Sequence, residues 1–214
     1  MTTYLTVAGD ATAEVEDRGS RFLCTLRRVA DEEEARALVA SLRREHWDAR
    51  HHCSAFVLGP GGTIQRSSDD GEPAGTAGAP MLEVLKGAGV SDVAAAVSRW
   101  FGGTLLGAGG LVRAYGDAVR AGLAEAGSLR RALLTELALE LDHADAGRVE
   151  GELRARGVRV LDVAYDARVR LLLAATPGEV DRLGEVVAAA TAGTGLLEPV
   201  GERWVDLAAP DVQQ

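Results

Sequence analysis

Cysteine and long hydrophobic runs are both scarce in this sequence. Cys24 and Cys53 are the only cysteines in 214 residues, too few and too far apart for a disulfide framework or a C-x-x-C redox or zinc pair. No stretch approaches the roughly 20 uncharged apolar residues of a membrane helix, and the residues after Met1 are polar, unlike a secretory signal. We therefore expect a cytoplasmic protein with free thiols and no membrane partner.

Basic residues are outnumbered, with 23 Lys and Arg against 32 Asp and Glu and a net charge of −9. This balance disfavours nonspecific nucleic-acid binding, which depends on neutralising backbone phosphates. A local arginine patch remains compatible with it, because salt screens exposed charges beyond about 8 Å.

The chain is longer than the usual single domain of about 100–150 residues, and its hydrophobic content of 47% can build more than one core. We predict two α+β domains, 1–130 and 131–214. In the first, residues 11–30 predict two strands, Asp31 caps a helix, 51–58 and 63–67 form a hairpin, and Pro80 begins a short helix. The run 93–97 is typical of a buried central strand, and a long helix opens at 107–110.

The second half predicts a different order of elements, strand-helix-strand-strand-helix-strand, as in ferredoxin-like domains. We place strands at 137–141, 158–163, 169–173 and 198–207. Helices are predicted at 146–156 and after the capping box that begins at Thr176.

Three segments carry polar residues beyond the needs of a core, and the first is His51-His52-Cys53. Adjacent side chains on a strand point to opposite faces, so His51 can share a face with Cys53 but not with His52. A two-histidine metal site is therefore disfavoured, and one buried and one exposed histidine is the simpler interpretation.

The second segment, 67–78, offers three carboxylates within four residues, Asp69, Asp70 and Glu72. Magnesium prefers such oxygen ligands, although Asp and Gly are equally common in purely structural turns. The loop continues through Gly75 and Thr76, and we expect its backbone amides to be open to a ligand.

The third segment, 99–113, places glycines before a helix. Amides at a helix amino end attract phosphate or another anion, and Arg99 and Arg113 could add charge. The spacing matches neither the dinucleotide fingerprint nor the P-loop. Close packing of strand against helix would also require these glycines.

Together these segments, HHC, SDDGEPAGTAGAP and RWFGGTLLGAGGLVRAY, resemble the YigZ/IMPACT family over roughly 18–123. The resemblance implies a first domain like domain two of ribosomal protein S-five and a second, ferredoxin-like domain like domain V of elongation factor G. It further implies a translation-linked role, since eukaryotic IMPACT proteins restrain a stress kinase that phosphorylates an initiation factor. Those proteins carry an additional N-terminal RWD domain, whereas the first strand here is expected near residue 11, so the kinase role is not transferred.

Two functions compete on this basis, and the possibility that the motifs only build a glycine-rich fold ranks between them. The favoured hypothesis is a regulatory factor that binds RNA, the ribosome or a translation factor through a basic patch that includes Arg50, Arg66 and Lys86. The alternative is an enzyme that binds a phosphorylated small molecule or nucleotide on 107–110 with carboxylate-bound magnesium. Thiol or serine hydrolysis, using Cys53 or Ser68 with His51 or His52, ranks last. No catalytic residue, cofactor or metal is assigned. The predicted ligand-binding residues are His52, Cys53, Ser68, Asp69, Asp70, Glu72, Gly75, Thr76, Arg99, Gly102, Gly103, Gly107, Gly109, Gly110 and Arg113.

Overall fold

The computed structural model describes residues 2–207, which form two compact units, Thr3–Arg130 and Arg131–Leu207. The strands are β1 (Thr3–Val7), β2 (Ala11–Asp17), β3 (Ser20–Arg28), β4 (His51–Leu58), β5 (Ile64–Ser68), β6 (Val93–Trp100), β7 (Ser128–Leu141), β8 (Arg159–Tyr165), β9 (Val169–Ala175) and β10 (Leu197–Leu207). The helices are α1 (Glu32–Glu45), α2 (Gly78–Gly87), α3 (Gly107–Ala126), α4 (His143–Ala155) and α5 (Val180–Ala190), the last preceded by a 3₁₀ turn, Pro177–Glu179.

The first unit is built on a five-stranded sheet in the order β2-β3-β6-β4-β5. The pairs from β2 to β5 are antiparallel, and β6 lies in the middle. Side chains of β6 alternate between two cores. Val93, Ala95 and Val97 pack with α2 and α3, whereas Ala94 and Ala96 pack with α1. This confirms the prediction of a buried central strand, whose sequence is apolar because both of its faces are covered.

The cap of α1 follows from its sequence. Asp31 accepts a hydrogen bond from the Glu34 amide at 2.9 Å, and the Glu34 carboxylate accepts one from the Ala30 amide at 2.7 Å. The helix buries Leu38 and Leu42 and exposes its charged face. The predicted capping residue is thereby confirmed, although Glu34 reaches one residue further back than a capping box requires.

Two sequence expectations in this unit were wrong. The first strand begins at Thr3, not near residue 11, because the β-favouring run Thr-Tyr-Leu-Thr-Val lies directly behind a polar start. Helix α2 begins at Gly78, two residues before Pro80. A proline is tolerated anywhere in the first helical turn, so Pro80 marks that turn without marking its first residue.

The second unit contains a sheet in which β10 pairs with β7 and the order continues β7-β9-β8. Helices α4 and α5 cover one face, with Val149, Leu153, Leu183 and Val187 buried in its core. The predicted order of elements, strand-helix-strand-strand-helix-strand, is confirmed. Strand β7 is much longer than predicted, and the likeness to elongation factor G domain V stays a prediction. No helix within residues 2–207 is both long and apolar enough to cross a bilayer.

Candidate functional site

A buried ion pair joins the second and third motif segments. Arg99 Nη1 donates to Glu72 Oε1 at 2.5 Å, and the two side chains are only 8% and 4% exposed. The Tyr115 hydroxyl, from α3, donates to the same oxygen at 2.8 Å. Arg99 lies near the end of β6 opposite His51 of β4, so strand, loop and helix converge on one carboxylate. Arg99, predicted to add positive charge beside the glycines, is thus buried and paired with Glu72.

The Glu72 cluster, which we define as His51, Cys53, Glu72, Arg99 and Tyr115, extends to the first motif segment. Cys53 Sγ lies 3.2 Å from the Tyr115 hydroxyl, and His51 Nε2 lies 3.9 Å from Glu72 Oε1. Burial raises the pKa of Cys53 to about 12 and also raises the pKa of Tyr115. Both groups are therefore protonated at neutral pH, and a nucleophilic thiolate is not favoured here.

The two histidines separate as strand geometry predicts. His51 faces the Glu72 cluster, where its Nδ1 lies 2.8 Å from the carbonyl oxygen of Asp70. His52 faces the other side of the sheet and its Nδ1 lies 2.9 Å from Ser98 Oγ. Burial lowers the pKa of His52, and the charge of Arg43 acts in the same direction. Neither imidazole is paired with Ser68, so the hydrolase hypothesis gains no geometric support.

Asp69 organises the loop that leads into α2. Its carboxylate accepts hydrogen bonds from the backbone amides of Gly75 at 2.8 Å, Ala77 at 3.0 Å and Gly78 at 2.8 Å. Although burial acts to raise the pKa of Asp69, these amides hold it below its ordinary value. The loop amides expected to be open to a ligand are thus already used by the protein, and Thr76 is buried with its hydroxyl donating to the Pro73 carbonyl at 2.7 Å.

Asp70 ties the same loop to the sheet and to α1. Its Oδ2 accepts from the His52 amide at 2.6 Å, and its Oδ1 accepts from Arg43. Its φ of +45° lies in the left-handed region, which Asp tolerates in turns, and Gly71 follows at +85°. Asp69, Asp70 and Glu72 therefore each have a separate set of partners. Among the described residues, no three His, Cys, Asp or Glu side chains are placed together to hold a metal ion.

The glycines of the third segment divide into packed and open positions. A Cβ on Gly102 would lie 1.9 Å from the backbone of Gly19, so only glycine permits this approach of the loop to the β2–β3 turn. A Cβ on Gly110 would lie 2.9 Å from Leu106, whereas those on Gly103, Gly107 and Gly109 would meet nothing within 4 Å. Close packing explains the first two glycines, and the other three lie in an exposed loop and helix start.

Gly109 and Arg113 do not belong to the Glu72 cluster. They line a groove between α2 and α3 together with Pro80, Val84 and Arg120. The first two motif segments and Arg99 thus meet in space, whereas the open end of α3 forms a separate surface. Ser68 is exposed on β5.

A partly exposed group of aromatic and arginine side chains lies beside the Glu72 cluster, and the sequence did not signal it as a group. Trp47 is 82% exposed and Phe101 is 43% exposed. The Trp100 ring is contacted by His46 at 5.4 Å between ring centroids and by the Arg21 guanidinium at 4.9 Å. We call this set the aromatic–arginine patch: Arg21, His46, Trp47, Arg50, Trp100 and Phe101.

The patch has a simple structural origin. The Arg50 amide donates to the Arg99 carbonyl at 2.9 Å, which holds the turn after α1 against the end of β6. Arg99 lies beneath the patch, 5.9 Å from the centroid of Phe101. The signal available in the sequence was Trp47, a large apolar residue directly after the charged end of a helix.

Comparison with known proteins follows the same division of the chain. Residues 18–123 match the Impact N-terminal domain, and residues 139–194 match a domain of unknown function, DUF1949. The IMPACT family member YvyE of Bacillus subtilis is 43% identical over 166 residues, 78% of this chain and 76% of that protein. The IMPACT family member YigZ of Escherichia coli is 42% identical over 176 residues, 81% of this chain and 86% of that protein.

One solved crystal structure is similar to this chain in both sequence and fold. It is described only as that of a hypothetical protein, it is 38% identical, and the match covers 94% of this chain and 98% of that one with a TM-score of 0.64. Identity above 40% over most of both sequences, together with the match of residues 18–123 to the Impact N-terminal domain, shows that the chain belongs to the IMPACT family.

Proposed function

We propose that this cytoplasmic protein is a translation-linked regulatory factor that binds the ribosome through exposed RNA. Membership of the IMPACT family supports the link to translation. The observation that carries the contact with RNA is the aromatic–arginine patch, in which the 82% exposed Trp47 directly follows His46, whose ring contacts Trp100. Unpaired bases stack on such aromatic side chains, and arginine adds cation–π and phosphate contacts.

The chemistry of the motif segments favours binding over catalysis. The ionisable groups that catalysis would need are engaged in internal contacts: Glu72 with Arg99 and Tyr115, and Asp69 with three backbone amides. These contacts favour a rigid arrangement of the loop and strand residues beneath the aromatic–arginine patch. A binding surface that is already rigid loses less conformational entropy when RNA binds.

Cosedimentation with purified ribosomes tests the proposal. We expect wild type to cosediment and Trp47→Ala to bind about 5- to 150-fold more weakly, because one base stacked on an aromatic side chain contributes about 1–3 kcal/mol. Tyr165→Ala is the matched control, since Tyr165 is an aromatic residue of the second unit that is 68% exposed. Equal binding by wild type and Trp47→Ala, or no binding by wild type, would contradict the proposal.

A second candidate function, binding of a phosphorylated small molecule or nucleotide, is favoured by one observation. Helix α3 begins without a side-chain cap, and Gly107, Ala108 and Gly109 are exposed there, an arrangement that suits an anion. A nucleotide at a hundred times its dissociation constant would then stabilise the protein by about 2.7 kcal/mol. A thermal-shift panel without any such stabilisation would remove this candidate.

A further inference from the structure

The second unit contains a cavity that no motif in the sequence signalled. It lies where the end of α4, the start of β8, the end of β9 and the start of α5 meet, it is open to solvent, and its volume is about 180 Å³. A cavity of about 150 Å³ is large enough for a benzene ring. We call it the α5 pocket, and it is lined by Arg156, Val158, Arg159, Glu179, Arg182 and Leu183 together with small neighbouring residues.

The α5 pocket has an excess of positive charge, because three arginines and one glutamate line it. Arg156 is paired with Glu152 at 2.6 Å. Within residues 2–207, by contrast, Arg159 and Arg182 have no carboxylate within ion-pair distance. Two guanidinium groups at one cavity repel each other, and a bound anion would remove this repulsion.

Glu179 forms no direct ion pair with these arginines, because its carboxylate is hydrogen-bonded at the start of α5. Its Oε2 accepts from the Thr176 hydroxyl at 2.6 Å and from the Thr176 amide at 3.2 Å. These hydrogen bonds lower the pKa of Glu179, and the charges of Arg159 and Arg182 lower it further. The arginines are thus near enough to act on Glu179 electrostatically while their donors remain available to a ligand.

The floor of the α5 pocket is apolar. Val158, Ala174, Leu183 and Val186 line it, and Leu183 belongs to the core of the second unit. A ligand that fits must therefore present an anionic end to the arginines and a small apolar body to the floor. Arginine binds both carboxylate and phosphate in a bidentate manner. A phosphate monoester carries about 1.5–2 negative charges at pH 7, against one for a carboxylate, and so matches two unpaired arginines.

We propose that the α5 pocket binds a small organic phosphate monoester, with the phosphate between Arg159 and Arg182 and the organic part on the apolar floor. This site is independent of the aromatic–arginine patch and of the α3 amino end. Its failure would leave the proposed ribosome contact unaffected.

Titration of the full chain with phenyl phosphate, followed by calorimetry and by ¹H–¹⁵N NMR, tests the inference. We expect saturable binding, with the largest shifts at 156–159 and 174–186. Arg159→Ala and Arg182→Ala should each weaken binding by about 10- to 150-fold, because each removes a hydrogen bond between charged groups. Phenyl sulfate, which has the same ring and a single charge, should bind more weakly, and inorganic phosphate reports the contribution of the anion alone.

Arg170→Ala is the matched control, because Arg170 is an exposed arginine of β9 that does not line the pocket. It should bind phenyl phosphate like wild type. The NMR spectra also show whether each variant keeps its fold, which is expected because the substituted side chains are exposed. The inference is overturned by absence of saturable binding, by undiminished binding in the Arg159→Ala/Arg182→Ala double variant, or by shifts confined to 107–110, which would place the anion at α3 instead.

Discussion

At the scale of single residues, the Glu72 cluster is held by one shared oxygen. Oε1 of Glu72 accepts from both Arg99 and Tyr115, while Arg99 Nε is buried and has no hydrogen-bond partner within the described part of the chain. A buried charge pair gains little over apolar packing, but removing one partner leaves the other charge uncompensated. The ion pair is therefore more important for holding one arrangement of the loop than for overall stability.

A double-mutant cycle measures this coupling. Glu72→Gln keeps an acceptor for Tyr115 but removes the charge opposite Arg99, and we expect it to lower the free energy of unfolding by about 3 kcal/mol or more. The double variant Glu72→Gln/Arg99→Met should cost less than the sum of the two single variants by about 1–3 kcal/mol. Urea denaturation followed by circular dichroism gives all four values, and strictly additive costs would show that the pair is not coupled.

The residue types of this cluster could be read from the sequence, but their environment could not. Glu72 and Arg99 were selected from the sequence as ligand-binding residues, which stays a prediction, and nothing in the local spacing shows that Arg99 is covered by Phe22 and Phe101. The sequence placed Tyr115 in the long helix that opens at 107–110 and in the motif RWFGGTLLGAGGLVRAY, without a role of its own. A buried tyrosine hydroxyl needs a partner, and that requirement was the one available signal for its role.

At the scale of elements, the loop between β5 and α2 depends on a single carboxylate. Asp69 accepts hydrogen bonds from the amide of Gly75 within the loop and from the amides of Ala77 and Gly78 at the start of α2. It therefore fixes the shape of the loop and also provides an acceptor for the first amides of the helix. An asparagine at this position retains one acceptor oxygen and replaces the other with a donor. That donor would face the Gly75 amide.

We therefore expect Asp69→Asn to lower the free energy of unfolding by about 1–3 kcal/mol at neutral pH. Because the folded-state pKa of Asp69 is lowered, its contribution is present above the unfolded pKa of about 3.9 and is lost as pH falls through the folded value. The difference between wild type and variant should accordingly shrink in acid. Denaturation at neutral and acidic pH checks this, with Ser67→Ala on exposed β5 as a control that should change little. A deficit that stays constant with pH would contradict the assignment.

Elements with strong local signals were the ones predicted well. The cap at Asp31, the apolar run of β6 and the glycines that open α3 are each signalled by residues that are neighbours in the sequence. The start of α2 and the length of β7 were predicted poorly, because they depend on contacts distant in sequence. A Cβ on Gly78, for example, would lie 2.8 Å from the Ser68 backbone amide nitrogen, a contact that no local pattern reveals.

At the scale of the whole molecule, the net charge of −9 limits how the protein can approach RNA. Arg21 of the aromatic–arginine patch is already held by Glu14, with 2.7 Å between Nη2 and Oε2. Arg50 is exposed and forms no ion pair in the part of the chain that the structure describes. Contact with RNA must therefore depend mainly on stacking, and only one or two phosphates can be neutralised.

The small number of available arginines predicts that the affinity for RNA depends only weakly on salt concentration. With one or two phosphate contacts to unpaired RNA, the logarithm of the association constant should fall against the logarithm of salt concentration with a slope of about −0.7 to −1.4. Binding to ribosomes measured across a salt series gives this slope. A value steeper than about −4 would indicate six or more phosphate contacts and would contradict a narrow, stacking-led site.

The exposure of Trp47 has a practical consequence as well. An indole that is largely surrounded by water emits at long wavelength, and stacking on a nucleobase quenches that emission. The side chain that we place at the centre of ribosome recognition is thus also a native fluorophore. Binding of a short unpaired RNA that contains no fluorophore can therefore be followed by tryptophan emission without attaching a dye.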